Sequence, residues 1–271
     1  MSLNSLIMKK YYFLFFIWMI ALTVFAQKME MYEYSTGILN QEILSQRMVK
    51  DYMMKGINLN RNFAIEDLDE TVSKYEEFRL LCEDAILPET INASMERSNE
   101  LWMKFRLIIM DEVSKEGAFQ LLKTNSSLLY AANNCFNLTK QSKSNDTLKG
   151  FYLSMQLQML SERLASYYFM YAWGVKKEAT LRYMNDATVE FNRLLNELTS
   201  LNNPLKVRGK LMSLKMDWKM AQKDIGNLGM GRVNSRHILD ETNSLSKNLR
   251  LISEWYNDLE SGTDFTANRI N

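Results

Sequence analysis

A short motif of the form Leu-Ser-polar-Arg occurs twice in this chain, as "LSQR" at residues 44–47 and as "LSER" at residues 160–163. The two copies lie 116 residues apart, and other uncommon residues repeat at the same spacing. These pairs are Pro88 and Pro204, Trp102 and Trp218, and Tyr75 and Phe191. The repeat predicts two tandem copies of one structural unit, at residues 27–144 and 145–271.

Each copy is predicted to be helical. The chain has only 2 prolines and 10 glycines in 271 residues, and strand-type alternation is scarce, which favours an all-α fold. Glycine and proline mark the predicted helix ends. The predicted helices cover 30–57, 63–86, 90–115 and 118–142, and then 147–174, 177–200, 206–225 and 235–260. Because the connections are short, each copy is expected to form an antiparallel four-helix bundle.

The N-terminus has the pattern of a signal peptide. Lys9 and Lys10 precede an uncharged run from Tyr11 to Ala26, with small residues before Gln27. The run is about 16 residues, whereas a membrane-spanning helix needs about 20. The sequence therefore predicts a cleaved signal peptide at 1–26 and an exported, periplasmic protein; the alternative is an uncleaved membrane anchor. We expect any signal to pass to a membrane receptor or kinase partner.

Charge and motif content exclude several classes of function. The 33 basic and 32 acidic residues give a net charge of +1, which argues against nucleic acid as a partner. The single histidine, His237, is expected to pair with Glu241 one turn later. The sequence lacks a P-loop, a dinucleotide-binding glycine motif, a nucleophile elbow and Glu-x-x-His pairs. It therefore predicts no enzyme activity, no cofactor and no metal site.

The two cysteines, Cys82 and Cys135, lie on different predicted helices of the first copy. In an oxidising compartment they are candidates for a disulfide. The alternative is a pair of buried thiols that act as small apolar residues.

The repeated motif places polar residues on a face meant for burial. On a helical wheel, Glu42 and Ser45 fall inside the apolar stripe of the first helix, while Arg47 lies near the opposite side. In the second copy Gln158 and Ser161 occupy the stripe. Their arginine, Arg163, again lies opposite the stripe. Buried polar groups need partners. One possible partner is a small polar ligand held between the first helices. The alternative is that backbone groups, water and salt bridges satisfy these residues.

These motifs resemble the first-helix box of the PilJ-type sensor domain of type IV pili methyl-accepting chemotaxis transducers, shared with NarX-like nitrate/nitrite sensor kinases. The family box reads Ala-Gly-Arg-Gln-Arg-Met-Leu-Ser-Gln-Arg. This chain has "ILNQEILSQR" at residues 38–47 and "SMQLQMLSER" at residues 154–163. The resemblance implies a periplasmic helical sensor bundle, often a homodimer, with its ligand at the first helices.

Both boxes differ from the family at its arginine positions, where Asn40 and Glu42 stand in the first copy and Gln156 and Gln158 in the second. In the nitrate/nitrite sensors the arginine just before the methionine binds the anion. A carboxylate at Glu42 would repel an anion. The resemblance therefore implies the fold, the setting and the ligand position, and argues against nitrate itself.

The sequence thus predicts an exported, non-enzymatic, sensor-like module that signals through a membrane partner. Its small polar ligand is expected near Glu42 and Ser45, or near Gln158 and Ser161. The alternative is a structural or protein-interaction bundle whose ligand box has decayed.

Overall fold

The computed structural model describes residues 31–83, 87–139, 145–228 and 230–260. All regular secondary structure in these ranges is helical, which confirms the all-α prediction. The helices are α1 (Met31–Gly56), α2 (Arg61–Glu83), α3 (Glu89–Met110), α4 (Lys115–Thr139), α5 (Asp146–Trp173), α6 (Lys177–Ser200), α7 (Leu205–Leu228) and α8 (Ser235–Glu260). The predicted signal peptide, residues 1–26, lies outside the described residues and stays a prediction.

Most helix ends fall within a few residues of the predicted ones. The largest difference is α3, which ends at Met110 because Asp111 takes an extended backbone conformation with φ −80° and ψ 172°. At the start of α5, the Asn145 side chain accepts a hydrogen bond from the Leu148 N–H at 2.7 Å. Its C-terminus is closed by Gly174, whose φ of 77° is left-handed. No helix in the described ranges is long and apolar enough to cross a membrane.

Helices α1 and α5 form the centre of the molecule. In the first half α1 packs against α2 and α4, and α3 packs against α4. In the second half α5 packs against α6 and α8, and α7 packs against α8. The two central helices also pack on each other, so each has neighbours on three sides and is buried almost all round. Equivalent neighbours in the two halves are what a duplication would produce; the duplication itself stays a prediction.

Equivalent aromatic stacks hold α2 to α3 and α6 to α7. The rings of Tyr75 and Trp102 stack with centroids 3.9 Å apart, and those of Phe191 and Trp218 stack at 4.1 Å. In each half the indole N–H donates to the side chain that follows the stacked ring, at 3.0 Å and 2.8 Å. Both stacks use residues that the sequence pairs at a spacing of 116.

The predicted apolar stripes are confirmed as core. The first comprises Ile38, Met48, Val49, Tyr52 and Met53, and the second Leu164, Ala165, Tyr168 and Phe169; all are buried. Glu42, Ser45 and Ser161 are buried with them, as the wheel predicts. Gln158 is only partly buried, because it faces an opening between helices.

The cysteines are free, buried thiols on α2 and α4. Burial raises the pKa of Cys82 to about 12 and that of Cys135 to about 11. The pKa of Tyr34 is also raised, first by burial and then by these two thiols. In the structure the two cysteines are therefore unpaired thiols, and a disulfide between Cys82 and Cys135 stays a prediction.

A glycine allows the close approach of α5 and α8. A Cβ added at Gly150 would lie 2.3 Å from Cζ of Tyr256, and that buried ring cannot swing away because its hydroxyl is bonded to Asn203. We expect Gly150→Ala to lower the free energy of unfolding by about 1–3 kcal/mol through overpacking. Urea denaturation measures this loss.

Gly209→Ala is the matched control for that variant. Gly209 lies on the exposed side of α7, and an added Cβ would meet nothing within 4 Å. Its replacement should stabilise the protein by about 0.5–1 kcal/mol through helix propensity alone. Equal stabilisation by both substitutions would contradict the close contact at Gly150.

Candidate functional site

A cavity of about 350 Å³ lies between α1, α4, α5 and α6; we call it the first cavity. Two of the predicted site residues, Glu42 and Arg163, line it from different halves of the chain. Its polar lining comprises Glu42, Gln46, Asn125, Ser126, Tyr130, Asn133, Gln156, Arg163, Tyr167 and Glu190. Leucines and one methionine supply most of the apolar wall. The structure thus joins residues from the two motifs in one site.

Glu42 carries a carboxyl group without a protein partner. The residue is only 5% exposed, and no described residue forms a hydrogen bond or an ion pair with its carboxyl oxygens. Burial raises the pKa of Glu42 to about 8, and the nearby charge of Arg163 opposes that rise. Burial therefore favours the protonated form of this carboxyl group near neutral pH.

Arg163 is the second unpaired group. Among the described residues its guanidinium has one polar contact, with the Met159 sulfur at 3.6 Å, and no ion pair. The equivalent Arg47 instead forms a bidentate salt bridge with Asp67 on α2, in which Arg47 Nε donates to Asp67 Oδ2 at 2.7 Å. The position equivalent to Asp67 in α6 is Tyr183, so Arg163 has no acid there.

Two buried amides at the first cavity also lack partners. Asn125 on α4 and Gln46 on α1 are each 1% exposed, and Asn125 Oδ1 and Gln46 Nε2 have no hydrogen bond. The Ser166 hydroxyl, which lies against Gln46, donates to its backbone carbonyl at 3.4 Å and leaves its amide unused. Because buried polar atoms are normally satisfied, these two atoms make the cavity a candidate ligand site.

Sequence analysis missed Asn125, although a signal was present. Asn125 falls within the apolar stripe of α4, which also includes Leu121, Leu122 and Leu128. The same reasoning that singled out Glu42 on α1 identifies it. Gln46 lies one turn after Glu42, at the edge of the apolar stripe of α1 beside Met53, so the same reasoning could also have identified it.

The two motif serines bond to their own helices. The Ser45 hydroxyl donates to the Glu42 carbonyl oxygen at 2.9 Å, and the Ser161 hydroxyl donates to the Gln158 carbonyl oxygen at 2.7 Å. Neither serine lines the first cavity. Of the six predicted residues, Glu42 and Arg163 therefore meet at this cavity, and the serines do not.

A second cavity, of about 360 Å³, lies between α1, α2, α5 and α8 and contains Arg47 and Gln158. Many of its positions are equivalent to those of the first cavity at a spacing of 116. Its key charges are already paired, Arg47 with Asp67 and Glu162 with Lys50. None of the described side chains that line it has a buried polar atom without a partner. The first cavity is therefore the better candidate.

A buried ion pair joins the two central helices. Lys50 Nζ on α1 lies 2.6 Å from Glu162 Oε2 on α5, and both side chains are over 90% buried. Asp51 beside them is fully buried, and both its oxygens lack hydrogen bonds. Burial raises the pKa of Asp51 well above its usual range, which the Lys50 charge opposes and the Asp67 charge reinforces. This cluster lies at the contact between the two halves of the molecule.

His237 lies between two carboxylates at the start of α8. Its Nδ1 bonds to Asp224, and its Nε2 lies 3.5 Å from Glu241 Oε1, so the predicted pairing with Glu241 is present and Asp224 is the closer partner. The pKa of His237 is raised, first by the hydrogen bond with Asp224 and then by the Glu241 charge. The three groups lie within 4.8 Å of one another, and the contacts of the imidazole with the two carboxyl groups account for this arrangement.

No family model, no curated protein and no solved structure matches this chain. The resemblance to PilJ-type sensors therefore stays a prediction that rests on the two motifs.

Proposed function

We propose that this protein is a non-enzymatic, sensor-like module that binds a small polar ligand in the first cavity. The observation that carries the proposal is a convergence of unpartnered polar groups around one cavity. They are the Glu42 carboxyl, the Arg163 guanidinium, Asn125 Oδ1 and Gln46 Nε2. Each buried polar group without a partner costs on the order of 1–3 kcal/mol. A ligand that bonds to several of them would recover that cost.

The position of the first cavity suits signalling. Its walls come from α1 and α4 of the first half and from α5 and α6 of the second. A ligand that touches all four helices would favour one packing of the two halves over others. Export to the periplasm and transfer of the signal to a membrane receptor or kinase belong to this proposal.

A second candidate function is protein interaction, as in the sequence alternative. It is favoured by a row of exposed methionines on α7 at positions four residues apart, Met212, Met216 and Met220. Methionine-rich surfaces adapt to apolar partners. Under this alternative the first cavity would stay empty, and a partner protein would bind to α7.

A thermal-shift screen of the purified protein tests the proposal. The panel holds nitrate, nitrite, other small anions, amino acids and small cations. At one hundred times the dissociation constant, a ligand should add about 2.7 kcal/mol to the free energy of unfolding. We expect at least one compound to raise the melting temperature.

The position of the site is tested with two variants. Asn125→Ala removes an unsatisfied group from the cavity lining and should abolish the thermal shift. Ser45→Ala is the matched control, because the Ser45 hydroxyl bonds to its own helix, and should keep it. A flat response to the whole panel, together with a protein partner lost on Met216→Lys, would instead favour the interaction module.

A further inference from the structure

The first cavity is lined by an acidic side chain, Glu42, and a basic side chain, Arg163, that do not form an ion pair with each other. Arg163 is close enough to Glu42 to oppose the rise of its pKa, yet no ion pair joins them. A simple anion would pair with Arg163 but give Glu42 no cation, and a simple cation would leave Arg163 without an anion. A ligand that carries both charges close together would satisfy both groups.

The remaining acid of the cavity lining is already occupied. Glu190 on α6 accepts hydrogen bonds from Arg193, at 2.8 Å to Oε2 and 2.6 Å to Oε1. After Arg193, the charge of Arg163 also lowers the pKa of Glu190, although no hydrogen bond or ion pair joins these two side chains. The cavity therefore offers one carboxyl group and one guanidinium that are not bonded to another charged side chain. A ligand with a third charge would leave that charge unpaired.

We infer that the ligand of the first cavity is a free α-amino acid with an uncharged side chain. This inference rests on the proposed function. The amino acid's ammonium group would bind between Glu42 and Asn125 Oδ1, and its carboxylate between Arg163 and Gln46 Nε2. These four contacts use the two buried polar atoms of the cavity lining that have no hydrogen bond and the two charged side chains of the lining that form no ion pair.

The walls and the volume fit a ligand of this size. Leu122, Leu129, Leu160 and Leu194 line the cavity from three helices, and they would surround an apolar side chain. A volume of about 350 Å³ lies at the lower end of the range for small-molecule sites, about 300–1,000 Å³. Leucine or methionine fits this space better than glycine, which would leave the leucines without contact.

The second cavity is not expected to bind the same ligand. Gln158 stands where the first cavity has Glu42, so it offers no charge to an ammonium group. Arg47 is held by Asp67, so it is not free for a carboxylate. We therefore expect one amino acid per chain rather than two.

Binding should release a proton near neutral pH. Burial raises the pKa of Glu42 to about 8, and an ammonium group would favour its ionised form. The titratable groups around it are Tyr75 from α2, Tyr130 from α4, Arg163 and Tyr167 from α5, and Glu190 from α6. Affinity should rise from pH 6 to pH 8, since less work is then needed to ionise Glu42.

Isothermal titration calorimetry of the full protein tests this inference. The probes are each of the common amino acids, isopentylamine, which lacks the carboxylate of leucine, and 4-methylpentanoate, which lacks its ammonium group. We expect an apolar amino acid to bind with a stoichiometry of one. Each single-charge analogue should bind about 10–100-fold more weakly, since a charged hydrogen bond contributes about 1.5–3 kcal/mol. Titrations in phosphate and in Tris at pH 7 should differ in heat by the released proton.

Two variants separate the roles of the acid and the base. Glu42→Gln should weaken binding of the amino acid at least about tenfold and remove the buffer-dependent heat, while 4-methylpentanoate binds no worse. Arg163→Met should weaken the amino acid similarly and leave isopentylamine unaffected. Gln158→Ala, the equivalent position in the second cavity, is the control and should change nothing.

The possible failures are distinct. If nitrate or another single-charge compound binds in the first cavity and amino acids do not, the amino-acid inference is wrong and the binding module stands. If neither the amino acids nor any other member of the panel binds, both proposals are wrong. Binding of leucine that survives Glu42→Gln and Arg163→Met would also overturn the inference.

Discussion

Replacement of Lys50 by methionine is expected to lower the free energy of unfolding by about 3–5 kcal/mol. Lys50 Nζ lies 2.6 Å from Glu162 Oε2 between the two central helices, where water does not reach either group. Removal of the lysine leaves a buried carboxylate without a countercharge, next to the unsatisfied carboxyl of Asp51. Urea denaturation at pH 7 measures this loss.

A double variant and a surface control complete this test. Lys50→Met combined with Glu162→Leu removes both charges and should recover most of the lost stability, because a buried ion pair contributes little over apolar residues of similar size. Lys74→Met breaks an exposed pair with Glu70 and should cost less than about 0.5 kcal/mol. If Lys50→Met were no worse than Lys74→Met, the central helices would not be packed as described.

Glu42→Gln is expected to stabilise the protein at pH 9 and to have little effect at pH 5. The pKa of Glu42 is about 8 in the folded protein because of burial, against an ordinary value near 4.5. Since the folded state holds this proton more tightly, its contribution to stability is complete below pH 4.5 and is lost as the pH rises to 8. A shift of this size corresponds to at most about 5 kcal/mol.

Glutamine does not titrate, so the variant does not lose this contribution to stability as the pH rises. The measurement is the difference in free energy of unfolding between variant and wild type at pH 5, 7 and 9. The contributions of other titrating groups, such as Asp51 and His237, are the same in both proteins and cancel in this difference. Glu96→Gln removes an exposed carboxylate on α3 and is the control. A difference that stays the same at every pH would show that the Glu42 carboxyl is not buried in the folded state.

The helices and their buried stripes could be predicted because the signals are local. Pro88, Pro204 and Gly174 mark helix ends through their own backbone chemistry. Apolar residues three and four apart identify the face that must be buried. The same rule placed Glu42 and Ser45 inside the core, and applied to α4 it would have placed Asn125 there.

The partners of the polar residues could not be predicted in the same way. Arg47 and Arg163 are equivalent in the sequence, yet one pairs with Asp67 and the other faces a cavity. The difference arises on the neighbouring helices. Asp67 on α2 pairs with Arg47, whereas the equivalent position on α6 is Tyr183, which is not an acid. Likewise Lys50 lies on the side of α1 that a lone four-helix bundle would leave in water.

Local sequence thus specifies the eight helices of the described residues and which stripe of each is apolar, because propensity and periodicity act within a few turns. The site depends on contact between α1 and α5, which are far apart in the chain and meet through buried charge as well as apolar packing. That contact decides which polar groups are satisfied and where a cavity remains. Such long-range pairing depends on the free energies of many contacts throughout the core, so no single stretch of the sequence determines it.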